Sequence, residues 1–171
     1  MSIRTIYQYP DPVLRRKAAK IDEFSDELKE LIADMADTMY DAPGIGLAAP
    51  QVGESVQVIV VNTGGQDERQ YKAFINPEIT ISEGSQIDEE GCLSVPELTS
   101  NVTRFKRIQL SYQDEEGTLH ELSAEDRFAV VLQHEIDHLK GILFIDHLTP
   151  LKRNLYKKKM KKALASKKVI A

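Results

Sequence analysis

Residues 133–138 read Gln-His-Glu-Ile-Asp-His, which sets His134, Glu135 and His138 in the order H-E-x-x-H. On a helix four residues turn through about 400°, so His134 and His138 sit one turn apart on a single face and can grip one cation together. Glu135 lies about 100° further round and reaches a water on that cation without entering its coordination sphere. Phe128, Val131 and Leu132 precede the motif and imply a buried helix, where imidazoles and a carboxylate are costly without partners.

Two upstream segments add to this. Glu90-Gly91-Cys92-Leu93-Ser94 holds the only cysteine of the chain. A thiolate is a strong ligand for a borderline or soft divalent metal, and one Cys with two His leaves a fourth position open for water. A zincin-type peptidase takes its third ligand from further along the chain, yet only Asp146 and His147 lie downstream here, without the usual spacing. The second segment is Gly44-Ile45-Gly46-Leu47-Ala48-Ala49-Pro50-Gln51. Its glycines permit close approach of another backbone, and the Gln51 amide can donate to a developing oxyanion. No Gly-Lys-Ser/Thr follows, so this is not a phosphate loop.

The elements that must position these groups read as α+β. Asp11-Pro12 opens a short helix through Lys17. A stronger helix runs from about Ser25 to Tyr40, with Phe24, Leu28, Leu31, Ile32, Met35 and Met39 forming a stripe that packs on a sheet. Residues 56–61, VQVIVV, predict a buried strand leading to a Gly64-Gly65 turn. Further strands are expected at 73–75, 78–82 and 105–112, and DEEG at 114–117 turns the chain into TLHEL at 118–122. The motif helix spans Ser123 to Lys140, with Ser123 and Asp126 as a capping box and Gly141 as a left-handed stop. Thr149-Pro150 opens a terminal helix.

At 171 residues, 42% hydrophobic and 29% charged, the chain has the length of one domain, expected to span 1–171 with 150–171 as a basic helical tail. No stretch approaches the roughly 20 apolar residues of a membrane span, and a lone cysteine forms no internal disulfide. With no secretion-signal core in MSIRTIYQYPDPVLRRK, the expected location is the cytoplasm. The net charge of −5 conceals an asymmetry: residues 147–171 hold nine of the 22 Lys+Arg and no acid, leaving thirteen against 27 Asp+Glu before them. Leu151, Leu155 and Leu164 lie among Lys152, Arg153, Lys157, Lys158, Lys159, Lys161, Lys162, Lys167 and Lys168, an end suited to a negative partner.

Taken together and in order, GIGLAAPQ at 44–51, EGCLS at 90–94 and QHEIDH at 133–138 resemble the peptide deformylases, in a form like the compact Gram-negative type. The resemblance implies an α+β fold of small, mostly antiparallel sheets around the H-E-x-x-H helix, with an N-terminal and a C-terminal helix. It implies a hydrolase that removes the formyl group from the N-terminal formylmethionine of new polypeptides and releases formate; a zincin-type metallopeptidase is the alternative. It further implies metal ligation by Cys92, His134 and His138, with Glu135 as acid/base, and oxyanion stabilisation by Gln51 and the Leu93 N–H. Gly44, Ile45, Gly46, Gly91, Phe128 and Val131 would contact substrate, Arg127 and Phe128 falling at the edge of the methionine pocket. The cofactor would be one divalent ion, Fe(II) foremost, with Zn, Ni or Co fitting the same ligands. Partners would be nascent chains, with the basic helix on the ribosome, and neither a membrane nor a specific nucleic-acid sequence. Glu90 is expected to pair with Arg104 and hold the Cys92 loop.

Overall fold

The structure, a computed structural model, describes residues 2–64 and 69–170, and side chains as far as residue 163. Gly65 of the expected turn and the side chains of Leu164, Lys167 and Lys168 lie outside the described residues.

The N-terminal segment makes one 3-10 turn, Pro12–Arg15, capped by the Asp11 carboxylate accepting from the Val13 N–H at 2.9 Å. It is shorter than the helix expected through Lys17. Helix α1 is Asp26–Asp41, and the Ser25 hydroxyl caps it by accepting from the Leu28 N–H. Strand β1 (Gly46–Ala48) leads through a 3-10 turn at Ala49–Val52 to β2 (Val58–Asn62). Then come β3 (Tyr71–Glu83), β4 (Gln86–Cys92), β5 (Val95–Arg104), β6 (Arg107–Gln113) and β7 (Leu119–Glu125). Helix α2 is Asp126–Leu139, a 3-10 turn covers Phe144–His147, and α3 is Pro150–Ile170. A five-stranded antiparallel sheet runs β1-β2-β3-β6-β7, and β4 and β5 form a separate antiparallel pair. The fold is the expected α+β one.

Strand β2 explains why residues 58–61 are apolar without alternation. Val58 and Val60 face the stripe of α1, where Leu28, Leu31, Ile32, Met35 and Met39 are buried, and Ile59 and Val61 face α2 through Ala129, Leu132, Ile136 and Leu139. Both faces of one strand are covered, each fully buried aliphatic side chain contributing about 1.5–3 kcal/mol over exposure.

Three expectations need correction. The separate strands at 73–75 and 78–82 are one strand; Asn76 and Pro77 mark a register shift between Ile75 and Glu78 rather than an end. Asn76 takes φ 51° there and its side chain bonds both Ile21 N and Ile21 O, which ties the lead into α1 onto the sheet. The motif helix starts at Asp126, not Ser123, because Ser123 pairs with Gln109 in the β6–β7 ladder. No side-chain cap replaces the expected box. The stop is as expected: Gly141 has φ 75°, and the Gly141 and Ile142 amides return to the His138 and Asp137 carbonyls. A Cβ on Gly141 would stand 2.6 Å from the Arg15 carbonyl oxygen, so any larger residue displaces the segment packed there.

That segment fastens distant parts together. Arg4 bonds Asp34 of α1, the Tyr7 N–H donates to Gln51 O at 2.8 Å, Tyr9 N–H to Ser94 O at 2.7 Å, and Ala18 N–H to Leu139 O at 2.9 Å. Arg15 reaches Gly141 O and Asp146.

Candidate metal centre

One face of β4 addresses α2 four times. Side chains two apart on a strand point the same way, and here Gln86 donates to Asp126 O, Asp88 pairs with Arg127, Glu90 with His134, and Cys92 with His138. The β5 register slips between Gly91 and Cys92, from Thr99 to Val95, so the cysteine ends β4 at a two-residue turn of Leu93 and Ser94. These local features carry the thiol to the motif helix.

The ligating atoms of Cys92, His134 and His138 all lie within 4.8 Å of one another, and Cys92 Sγ is 3.4 Å from His138 Nε2. A tetrahedral zinc-like ion with bonds of about 2.0–2.3 Å separates its ligand atoms by about 3.3–3.6 Å, so the donor set fits a divalent cation. Glu90 is buried, and Arg104 holds it through two bonds of 2.8 and 2.9 Å. Burial works against the Glu90 charge, but Arg104 and His134 outweigh it and keep the carboxyl below its usual range. An ionised Glu90 only accepts, so His134 Nδ1 carries a proton at 2.9 Å and Nε2 is the ring nitrogen left to face the ion. At His134 itself burial disfavours positive charge, yet the bonds to Cys92 and Glu90 win and hold the imidazole well above its ordinary value. Burial, then the charge of His134, push His138 well below. The cluster thus attracts positive charge and offers a neutral imidazole, as a cation site requires.

Arg104 extends the support beyond Glu90. Its Nη1 is 2.6 Å from Asp137 Oδ2, and His147 Nε2 lies 2.9 Å from the same oxygen. From the sequence Asp137 gains no role and His147 is weighed only as a downstream third ligand, although an acid on the face beside two histidines of a buried helix signals a need for a cation. The Glu90–Arg104 pairing is present as expected.

Glu135 is buried, and among the described residues its Oε1 meets no hydrogen-bond partner. Burial pushes its pKa up to about 7. Its other oxygen lies against β1: a Cβ on Gly46 would come within 2.7 Å of Glu135 Oε2, so only glycine leaves the carboxyl in place. Gln51 is equally constrained. Its Oε1 accepts from the Ala48 N–H at 3.0 Å, which fixes the amide orientation and turns Nε2 towards Ser94 Oγ at 3.0 Å and Cys92 Sγ at 3.7 Å.

A cavity of about 450 Å³ opens over the cluster. Gly44, Ile45, Gly46, Gln51, Gly91, Cys92, Leu93, Val131, His134 and Glu135 line it, as does Arg127. Phe128 does not. One residue is about 100° of helix, and that rotation takes the ring to the apolar core, 6.5 Å from Phe74; Val130 occupies the cavity wall instead. Leu98 and Thr99 of β5 complete the wall without having been anticipated.

Comparison with known proteins gives one consistent result. Residues 3–154 match the family described as polypeptide deformylase. A peptide deformylase of Desulfotalea psychrophila is 58% identical over 164 residues, covering 95% of this chain and 97% of that protein. The crystal structure of a Legionella pneumophila peptide deformylase superposes with a TM-score of 0.89 at 42% identity, covering 96% of this chain and 97% of that one. A Synechococcus elongatus peptide deformylase in complex with actinonin gives a TM-score of 0.85 at 39% identity, covering 91% and 86%.

Proposed function

The chain belongs to the polypeptide deformylase family, and from that premise we propose that it is a metal-dependent hydrolase that removes the N-formyl group of nascent peptides, with the cavity over Cys92, His134 and His138 as its active site. The observation that carries this reading is the clustering of one thiol and two imidazoles beside a buried carboxyl whose Oε1 has no partner among the described residues, at a cavity lined by Cys92, His134 and Glu135.

The ion that Cys92 Sγ and the two Nε2 atoms would hold supplies Lewis acidity and lowers the pKa of water at its open position. Glu135, with a pKa of about 7, accepts a proton from the attacking water near neutrality and returns it to the departing amine, so that formyl amide and water become formate and a free N-terminus. Gln51 Nε2 and the Leu93 N–H donate to the carbonyl oxygen as charge gathers on it, each such donor contributing about 3–4 kcal/mol to the transition state. Gly46 and Gly91 let the substrate main chain approach, with Gly44 and Ile45 beside it and Val130 and Val131 against its first side chain.

Fe(II) is the proposed ion, with Zn, Ni and Co suited to the same ligands. Helix α3 supports a role at the ribosome in the cytoplasm: Tyr156 anchors it by donating to Pro96 O, while Leu151, Leu155 and the described lysines lie outward. No described helix is long and apolar enough to cross a membrane. Co-sedimentation with ribosomes that weakens steeply with salt is the expected behaviour.

Anaerobic purification, metal analysis and a formate-release assay on a formyl-Met peptide test the reading together. One ion per chain and formate without internal cleavage are expected. Internal cleavage of unformylated peptides would indicate a peptidase, and activity that survives chelation but not alkylation would make Cys92 a nucleophile.

A further inference from the structure

The trough between α2 and β4 has a second end. Arg127 lies seven residues before His134, about 10 Å along the helix at 1.5 Å per residue. Asp88 lies four residues before Cys92, about 13 Å along the strand. Arg127 Nη1 meets Asp88 Oδ2 at 2.8 Å, so the two elements that converge on the ligand cluster are tied again where they end. Val130 and Val131 form the helix wall between these points, and Gly91 contributes no side chain from the strand. The helix does not favour this arginine, because a cation in the first turn opposes the macrodipole. The pair is exposed at 58% and 34%, so it adds little stability. Arg127 thus joins β4 to α2 and also places a cation at the end of an aliphatic helix wall, with Glu89 and Glu97 the acidic residues that line the cavity from the hairpin.

We propose that Arg127, held by Asp88, is a specificity-determining residue that reads the far end of the substrate's first side chain and admits unbranched side chains ending in an acceptor oxygen, methionine sulfoxide foremost, alongside methionine. This rests on the deformylase reading. The side chain leaves the substrate backbone two bonds from the reacting carbon, and four further bonds of about 1.5 Å bring its end towards Arg127. Guanidinium offers five N–H donors, and Asp88 is its hydrogen-bond partner among the described residues, so donors remain for a sulfoxide oxygen. An all-aliphatic slot would strip water from that oxygen and give nothing back.

The test uses the metal-loaded enzyme and formate release from two peptides that differ only in their first residue, formyl-Met-Ala-Ser and formyl-(Met sulfoxide)-Ala-Ser. The readout is the ratio of kcat/KM for the sulfoxide to that for methionine. Arg127→Leu is expected to lower this ratio about ten- to hundredfold, the worth of a hydrogen bond to a charged donor, chiefly through KM. Arg127→Lys, which keeps the charge but loses the fork, is expected to fall between. A ratio unchanged in both variants overturns the inference and leaves the deformylase reading intact. A wild-type enzyme that releases no formate from the methionine peptide overturns both.

Discussion

Strand β2, which lies beside β1 in the main sheet, and the β4–β5 hairpin, which lines the cavity, are held by opposite means. In β2 the buried side chains, Val58 to Val61, are all aliphatic and are covered on both faces. In the hairpin the buried side chains are Val95 and Val102 against the polar Glu90, Ser94 and Arg104. The two valines rest on Leu143, Phe144 and Ile145, but the approach of β4 to α2 is set by hydrogen bonds. Apolar burial fixes layers without direction, whereas each polar contact fixes atoms. The molecule uses the first to build a platform and the second to aim the ligands.

The strongest test separates a polar group with partners from one without. Glu135→Gln is expected to lower kcat about 10²- to 10⁴-fold while leaving bound metal in place, as the loss of a general acid/base does. Its thermal melting point should hold or rise, because the buried Oε1 has no partner among the described residues to lose. Loss of metal in parallel would make Glu135 structural. Arg104→Ala should behave differently, since it takes the cation from the buried Glu90 and the half-buried Asp137 and leaves them only His134 and His147 as partners. A cost of about 3–5 kcal/mol in denaturant unfolding is expected, together with faster metal loss to a chelator.

On the apolar side, Met35→Ala removes a fully buried side chain between α1 and β2, at an expected cost of about 2–5 kcal/mol, with metal content per folded molecule unchanged. If metal retention fell with it, the division between platform and aim would collapse. The smallest effect is expected at Asp34. Bonds from the Ser2 N–H and from Arg4 hold its carboxyl below the ordinary 3.8. The unfolded chain therefore protonates first as pH falls: the contribution is complete above that value and lost as pH drops through the lower native one. Asp34→Asn should flatten the stability curve in that acid window, with little change at neutral pH.

The same contrast decides what could be read from the sequence. Helix α1 and strand β2 announce themselves, because packing against a layer imposes a period or an unbroken apolar run. The H-E-x-x-H spacing also survives, since a helix alone brings its two histidines together. The hairpin does not. Gln86-Ile87-Asp88-Glu89-Glu90 is polar towards α2, with Ile87 outward, so alternation points to the wrong face. Ser123 misleads for a related reason: its spacing to Asp126 suits a cap, but the ladder to Gln109 outweighs it. Phe128 shows the limit of reading a pocket from apolar residues near a motif, because one step along the helix moves a side chain from cavity to core.

The lead segment, finally, bears on when the enzyme is finished. Arg15 makes its bonds to Gly141 and Asp146 across separations of 126 and 131 residues, and Tyr7 and Tyr9 clasp the Gln51 turn and the thiol-bearing turn at the same time. Loop closure over such spans is slow, and contacts of this kind form late. The segment therefore cannot lock until residues 141–146 are in place, so the clasp on the Gln51 turn and the thiol-bearing turn is among the last parts of the molecule to set.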